Sequence, residues 1–503
     1  MDQPKCVKKT LSTRRSYRHV FAKADEYLER NAVYAEGNYY SYRTLNRHIK
    51  YICETLKSND VRAKRIAIVC SDDFWTVATI CAVLKYGAAY FPILKESPEE
   101  RKNYIIKDAR PGLILSPDSA SDSSPIPSLQ IQFENIPEFK DVEIAPSVDH
   151  SEACILYTSG STGTPKGVPM TKAGIDHCFE WLFDYFDFNE NDRFLQPFRW
   201  TFDISIFSLL APLSVGACCY LLPQKGVRSL IILDSLIKHR ITVVCLVPSI
   251  ISLTQKYLPS LEGNALRISI FGGEALYIDM AELWKKTFQN ATVFNIYGPS
   301  ETTIFISCYE LNKQNSPIES CNNIISLGRV IPNHNFILID DQKETIQDKM
   351  TTGELCINGP QAIPNYINHI HKDRFLEVVR EGNKEIFFRT GDLVQLNDND
   401  NLLFIGRNDE QVQIQGHRVE LKEIEFHIKK RTGSENAVVV KENKAGEKVL
   451  IAYAIKSHWS EKRLRRDLQE HLPPYMIPRQ FVLMDVLPRN TNGKVDKKTL
   501  KEL

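Results

Sequence analysis

The chain has 503 residues, too many for one ordinary hydrophobic core, so at least two domains are expected. Its 43% hydrophobic and 25% charged residues are the composition of an ordinary globular protein. Lys+Arg 63 against Asp+Glu 62 leaves a net charge of +1, which supplies no global field for nucleic acid or an anionic membrane, so a small molecule or another protein is the expected partner.

The N-terminal stretch MDQPKCVKKTLSTRRSYRH is basic but has no apolar core behind it, so no secretory signal is expected. Twelve cysteines include no CxxC pair and no zinc-type Cys/His spacing; their scatter through apolar strings predicts buried, reduced thiols and a cytoplasmic location.

RIAIVC at 65–70 reads as a strand, Asp72 to Tyr86 as a helix closed by Gly87, and AAYFPI (88–93) and GLILS (112–116) as further strands. PDSASDSSPIP at 117–127 is a polar loop. The apolar run Ala153 to Tyr157 predicts a strand, and from Lys172 onward Ile175, Cys178, Phe179, Leu182, Phe183 and Phe186 fall at helical spacing. Between them lies YTSGSTGTPKG (157–167), expected as a strand-to-helix loop whose N–H groups and hydroxyls turn onto an anion, with Lys166 adding charge. It is not a Walker loop, because Pro165 stands where that pattern needs Gly and Gly167 where it needs Ser or Thr.

The uncharged stretch from Ile206 to Pro223 is interrupted by Pro212 and Gly216, which predicts a buried helix followed by a buried strand rather than a membrane span. Alternation continues through 241–249, 267–275 and 292–303, so the expected fold is α/β: a large N-terminal domain with mostly parallel sheets flanked by helices. After Gly406 charge density rises and short elements follow, predicting a small mobile α+β C-terminal domain. The domains are placed at 1–406 and 407–503, with the hinge near Arg407-Asn408-Asp409.

Five strings occur in order: YTSGSTGTPKG (157–167), YGPSETT (297–303), RTGD (389–392), GRNDEQVQIQGHRVELKEIE (406–425) and LPRNTNGKVDKK (487–498). Together they resemble the adenylate-forming superfamily of acyl- and aryl-CoA synthetases, luciferases and amino-acid adenylation domains of nonribosomal peptide synthesis. The resemblance implies ATP as co-substrate and Mg²⁺ as cofactor. It assigns Thr158, Ser159, Gly160, Ser161, Thr162, Gly163, Thr164 and Lys166 to the β- and γ-phosphates, and Glu301, with Thr302 beside it, to Mg²⁺ and catalysis. It sets Tyr297 and Gly298 against adenine, Asn295 and Gly272-Gly273-Glu274-Ala275 along the base edge, and Asp392 with Arg407 on the ribose. Lys494 is the expected catalytic cation, bridging carboxylate and α-phosphate; by composition alone it reads as a solvated tail lysine, and Gly493 before it, a turn that resembles the family's catalytic loop, reverses that reading.

Trp200-Thr201-Phe202-Asp203-Ile204-Ser205 resembles the FDxS element of amino-acid-activating members, where the aspartate binds the α-ammonium. Asp203 also reads as an N-cap, and the two roles are compatible. The resemblance lines the substrate pocket with Asp203, Ile204, Phe207, Cys245, Ile270, Gly272, Ile296, Ile304 and Phe305, which implies an aliphatic amino acid, valine or isoleucine ahead of alanine, leucine or proline. Arg199-Trp200 departs from the smaller or polar residues commoner there.

With nine residues after Lys494 and no carrier-like serine motif, the chain is expected to be a free-standing activator similar to D-alanine:carrier-protein and prolyl:carrier-protein ligases. Its partner would be a separate phosphopantetheinylated carrier protein. The family's C-terminal domain swings about the hinge, here Asp409, exchanging the Lys494 loop for the segment around Gly416, where a glycine lets the pantetheine arm pass. The rival readings are an acid:CoA ligase using free coenzyme A and a non-catalytic nucleotide-binding regulator.

Overall fold

The computed structural model describes residues 19–61, 64–118, 126–133, 136–137, 151–160, 164–261, 263–311, 317–380, 382–443, 447–455, 459–489 and 495–503. Among the described residues, three large sheets and a two-stranded ribbon, Ser320–Cys321 with Ile324–Ile325, build the N-terminal part.

The first sheet has six strands in the order Ser128–Gln130, Leu113–Ser116, Arg65–Cys70, Ala89–Leu94, Glu152–Thr158 and Lys166–Thr171, parallel except for the last pair. The helix Phe74–Tyr86 follows Arg65–Cys70 where periodicity placed it. Asp73 caps it by accepting from the Thr76 N–H, and left-handed Gly87 ends it. Phe74 through Leu84 are all buried, as expected for an interior helix apolar on every side.

The second sheet has nine strands, ordered Arg329–Val330, Ser307–Leu311, Thr292–Tyr297, Ile268–Phe271, Val243–Leu246, Arg193–Gln196, Cys218–Leu221, Asn31–Ala35 and Asn38–Ser41. Its six central strands are parallel, and the outer ones at both edges run antiparallel. The uncharged stretch near 206–223 is the helix Ile204–Val215, left-handed Gly216 and the strand Cys218–Leu221, all buried. No helix among the described residues is long and apolar enough to cross a membrane.

A third, wholly antiparallel sheet was not foreseen. It joins Thr345–Ile346, Asn335–Ile339, Gly353–Asn358, Asn383–Leu396 and Phe375–Arg380, with Leu402–Arg407 also on Asn383–Leu396. Beyond Arg407 the chain makes the hairpin Gln411–Ile414/His417–Glu420, the helix Leu421–Thr432 and a sheet of Asn436–Glu442, Lys448–Ile455 and Gln480–Met484. This C-terminal α+β unit has its own apolar core, which includes Ile414, Ile424, Ile428, Leu464 and Met476.

One expectation fails in a way that matters for the site. The glycine-rich run does not lead into a helix: it joins the antiparallel strands Glu152–Thr158 and Lys166–Thr171, and the helix Lys172–Tyr185 starts only after the second. The strand KGVPMT is too short and Pro-interrupted to show a two-residue period, so the stronger helical period behind it absorbed it. No helix terminus therefore stands directly behind this run. Residues 119–125 of the expected polar loop lie outside the described residues.

Candidate functional site

Strands of the parallel part of the nine-stranded sheet end along one edge, where α/β folds place ligands. A cavity there is lined by Gly272 to Ala275 after the strand Ile268–Phe271, by Tyr297 to Ser300 after Thr292–Tyr297, and by Thr158 and Ser159 from the first sheet. Asp203 and Ile204 line it from the start of a helix, Asp392 and Arg407 from the antiparallel sheet, and Gly416, His417 and Arg418 from the C-terminal hairpin.

At one end Asp392 is buried on the strand Asn383–Leu396. The Tyr297 hydroxyl donates to its Oδ2 at 2.5 Å and Arg407 donates to its Oδ1. Burial raises the Asp392 carboxyl, with Arg407 opposing. Arg407 is itself held on Asp409, Nε to Oδ1 at 2.7 Å and Nη2 to Oδ2 at 2.9 Å, while Arg374 donates to the same Oδ2 at 2.8 Å. Against the upward push of burial, Arg407 and Arg374 hold the Asp409 carboxyl well below the usual range. The expected hinge residue is thus pinned between two guanidinium groups.

Asp203, which lines the same cavity, is 8% exposed. Its Oδ1 accepts from the Ile204 N–H at 2.8 Å, the capping role, and its Oδ2 accepts from the Ser300 hydroxyl at 2.8 Å. Burial pushes this carboxyl up to about 6, only partly opposed by those two hydrogen bonds. Ile204, Gly272, Ile296, Ile304 and Phe305 line the cavity beside it. Phe207, Cys245 and Ile270 do not; they are buried in the layer behind, Phe207 with its ring 5.5 Å from that of Phe305.

Glu301 sits fully buried in the turn Ser300–Thr302. Tyr366 donates to its Oε1 at 2.5 Å, Arg418 to its Oε2 at 2.7 Å, and the Lys166 ammonium stands 3.6 Å from Oε1. Burial would raise the carboxyl, but Arg418 and Lys166 together bring it down to about 2. Burial and the nearby Arg418 push Lys166 down to about 8. Thr302 turns its hydroxyl onto the Pro299 carbonyl at 2.9 Å. Thr303 and Ile304, which follow, are both left-handed, a costly conformation for β-branched residues. Gln361 holds them: its Nε2 donates to the carbonyls of Thr302, Thr303 and Phe305 at 3.2, 2.9 and 2.8 Å.

Of the glycine-rich loop, Ser161, Thr162 and Gly163 lie outside the described residues. Gly160 must be glycine, since a Cβ there would stand 2.0 Å from the Thr164 carbonyl oxygen as the loop closes on itself. Thr158 Oγ1 is buried without a hydrogen-bond partner among the described residues. A buried hydroxyl of that kind lacks the acceptor that a phosphate oxygen would provide. No group of three or more His, Cys, Asp or Glu among the described residues could hold a metal. A single hard carboxylate such as Glu301 suits Mg²⁺ that arrives on phosphates and keeps waters for its other positions.

Asn295 does not reach the cavity: its amide donates to the carbonyls of Ile325 and Ser326 at 3.2 and 2.8 Å. Lys494 lies outside the described residues. Around it, Arg489 bridges to Val495, and Lys497 pairs with Glu410 and Glu425, each at 2.7 Å. In this pose the hairpin around Gly416 faces the cavity, with the Gly416 N–H donating to Glu274 Oε1 at 2.6 Å. Gly416 has φ +80°, and a Cβ there would stand 2.5 Å from Val247 Cγ1. Beyond Phe202, His417 and Tyr475 a wider cavity opens between the two units, bounded by Arg101, Arg199, Arg228 and Pro474.

Sequence reasoning gave no role to Ser300, Gln361, Tyr366, Arg418 or Glu423. Ser300, Arg418 and Glu423 lie inside the five ordered strings; nothing local marks Gln361 or Tyr366.

The model of the AMP-binding enzyme family matches residues 20–367, and that of the AMP-binding enzyme C-terminal domain matches 423–494. Tyrocidine synthase 3 of Brevibacillus parabrevis is 31% identical over 92% of this chain and 7% of its own length. Delta-poly-L-ornithine synthetase of Acinetobacter baumannii is 31% identical over 84% of this chain and 31% of its own. The chain thus spans less than a third of the length of these curated relatives. The crystal structure of the Vibrio cholerae adenylation domain AlmE, in complex with glycyl-adenosine-5'-phosphate, superposes with a TM-score of 0.85 at 23% identity, covering 99% of this chain and 98% of that one.

Proposed function

The chain belongs to the AMP-binding, adenylate-forming enzymes, and from that premise we propose that it activates an aliphatic amino acid with ATP and passes it to the phosphopantetheine thiol of a carrier protein. The observation that carries the amino-acid reading is Asp203, a buried carboxylate on the cavity wall, with hydrogen bonds only from Ser300 and Ile204 among the described residues. A buried carboxylate gains most from a cationic partner, and an α-ammonium is one.

In the first half-reaction a carboxylate oxygen of the amino acid bonds to the α-phosphorus of ATP, the bond to the β-phosphate oxygen breaks, and pyrophosphate leaves. Asp203 holds the ammonium, and Ile204, Ile296, Ile304 and Phe305 select an apolar side chain. Asp392, steadied by Arg407, accepts the ribose hydroxyls, and the Tyr297 ring lies along adenine. Thr158, Ser159, Gly160 and Lys166 receive the outer phosphates. Glu301 would hold Mg²⁺, which when bound would supply positive charge to the phosphates. Lys494 supplies the cation between the two reacting anions. In the second half-reaction the carrier's thiolate sulfur attacks the acyl carbon, a thioester forms and AMP leaves; the arm enters through the interdomain cavity past Gly416.

ATP–pyrophosphate exchange across the common amino acids tests this. Exchange with an apolar amino acid is expected. Exchange with simple carboxylates alone would replace the reading with acid:CoA ligation, and no exchange at all would leave a nucleotide-binding regulator.

A further inference from the structure

Behind the wall that the proposed function gives to the apolar side chain, a series of hydrogen bonds runs out to the protein surface. Gln361 is buried in the turn that follows the strand Gly353–Asn358, and its amide nitrogen donates to the Thr302, Thr303 and Phe305 carbonyls. Its own backbone carbonyl accepts from the Thr303 hydroxyl at 2.7 Å. On the other side its Oε1 stands 2.9 Å from Nδ1 of His177, a half-buried residue of the helix Lys172–Tyr185. His177 Nε2 lies 3.3 Å from the amide nitrogen of the exposed Asn333.

His177 decides which way the Gln361 amide points. Three carbonyls can accept only from an NH2 group, so the amide oxygen has to face the imidazole, and the imidazole must present a proton there. His177 therefore carries its proton on Nδ1, which leaves the Nε2 lone pair to accept from Asn333. An imidazole protonated on Nε2 alone would set a lone pair against Oε1 and favour the flipped amide, with its oxygen against three carbonyl oxygens. His334 closes the same junction. Its Nδ1 donates to the Pro332 carbonyl at 3.1 Å, its Nε2 accepts from the Gln361 N–H at 3.4 Å, and its ring meets that of His177 at 74° with centroids 5.0 Å apart. Burial pushes His334 down to about 4, so it stays neutral and able to accept at neutral pH.

We propose that His177 is a specificity-determining positioning residue: by fixing the Gln361 amide it holds the left-handed Thr303 and Ile304, and with them the wall of Ile304 and Phe305 that meets the substrate side chain. The inference rests on the proposed function for the identity of that side chain. Its physical basis is strain held by a buried network. Two adjacent β-branched residues stay left-handed while their carbonyls are paired, and the pairing needs one of the two amide orientations.

Three measurements on the full chain test this. With the histidine ring nitrogens isotopically labelled, NMR near neutral pH should show His177, assigned by its loss in His177→Asn, with its proton on Nδ1; a proton on Nε2 alone overturns the proposal. His177→Leu removes the donor. Amide deuterium uptake at Thr303, Phe305 and Ile306, bonded to the Ser300, Thr303 and Tyr297 carbonyls, should then rise about fivefold or more, while the buried helix Phe74–Tyr86 stays protected. In ATP–pyrophosphate exchange with alanine, valine and isoleucine, the spread of kcat/KM among the three should narrow about fivefold or more, with KM for ATP within about twofold of wild type.

A purely structural role would lower stability and leave the spread among the three amino acids unchanged. His177→Asn places an N–H where Nδ1 stood and should restore both the protection and the spread. Unchanged uptake or an unchanged spread in His177→Leu, an equal rise in KM for ATP, or no rescue by His177→Asn overturns the proposal. The tautomer is read in the wild-type chain, so the proposal stays falsifiable even where His177→Leu does not fold. Neither the tautomer nor the uptake needs an amino acid, so a silent exchange panel would defeat the proposed function and leave these two to judge the role of His177.

Discussion

The Ser300 hydroxyl donates to Asp203 Oδ2 at 2.8 Å, tying the residue that starts the helix Ile204–Val215 to the turn that carries Glu301. The carboxylate of Asp203 and the turn that holds Glu301 are therefore joined by one hydrogen bond. Each carboxylate oxygen keeps further acceptor capacity, so Asp203 can take an ammonium without giving up Ser300 or Ile204.

Asp203→Ala should lower kcat/KM for the amino acid by about 30-fold to several thousand-fold, the range that follows when one member of a buried hydrogen-bonded charge pair is removed at a cost of about 2–5 kcal/mol. Exchange driven by a simple carboxylate should change little. Equal losses with both substrates would show that Asp203 does not hold the ammonium.

The same carboxyl sets a pH dependence. Burial lifts Asp203 from the ordinary 3.8 to about 6 in the unliganded fold, so the free site is increasingly protonated below that value. Only the ionised form attracts an ammonium, and a bound ammonium in turn pulls the carboxyl back down. Thus kcat/KM should fall as pH drops through 6, approaching about tenfold per unit, while kcat at saturating amino acid declines only at lower pH. Asp203→Asn should have low kcat/KM without this slope. A flat wild-type profile from pH 7.5 to 5 would refute the assignment.

Gly416→Val and Lys494→Ala should separate the half-reactions. At Gly416 the left-handed backbone and the approach of Val247 leave no room for a side chain, so the valine variant should lose about tenfold or more in transfer from preformed adenylate and retain exchange. Lys494→Ala should do the reverse, losing exchange on the order of 10²-fold or more, as when a transition-state charge partner is removed. Matching losses in both assays would argue against two working poses.

Gln361→Ala would strip three carbonyls of the donor that holds the left-handed Thr303 and Ile304. Leaving buried carbonyls unpaired costs about 1–3 kcal/mol, so the melting temperature should fall by several degrees. KM for the acid should rise as well, because Ile304 and Phe305 line its pocket. A drop in melting temperature with unchanged KM would confine Gln361 to a structural role.

Much of this protein was legible from residues close together in the chain. Gly87 ends one helix as read, and Asp73, one residue past the expected start at Asp72, caps it, because capping needs only neighbouring atoms. Gly216 ends the helix in the uncharged stretch, while Pro212, expected to interrupt it, sits inside that helix. The five ordered strings led to the family because each is a short contiguous segment, recognisable without knowing what it touches in the fold. The glycine-rich loop misled in one respect: its second strand, Lys166–Thr171, is defined by pairing with Glu152–Thr158, which no local period reveals.

What only the folded chain decided depends on contacts between distant segments. Arg418 reaches Glu301 across 117 positions, Glu423 reaches Gly160 across 263, and Gln361 reaches Thr303 across 58. Asn295, expected at the base edge, turned instead to the carbonyls of Ile325 and Ser326. Residue types announce what a side chain is able to bind, so the sequence by itself named the chemistry. Which partner each one meets is set by how sheets and domains pack, because a buried charge or amide takes whatever complementary group the tertiary structure brings within hydrogen-bonding distance.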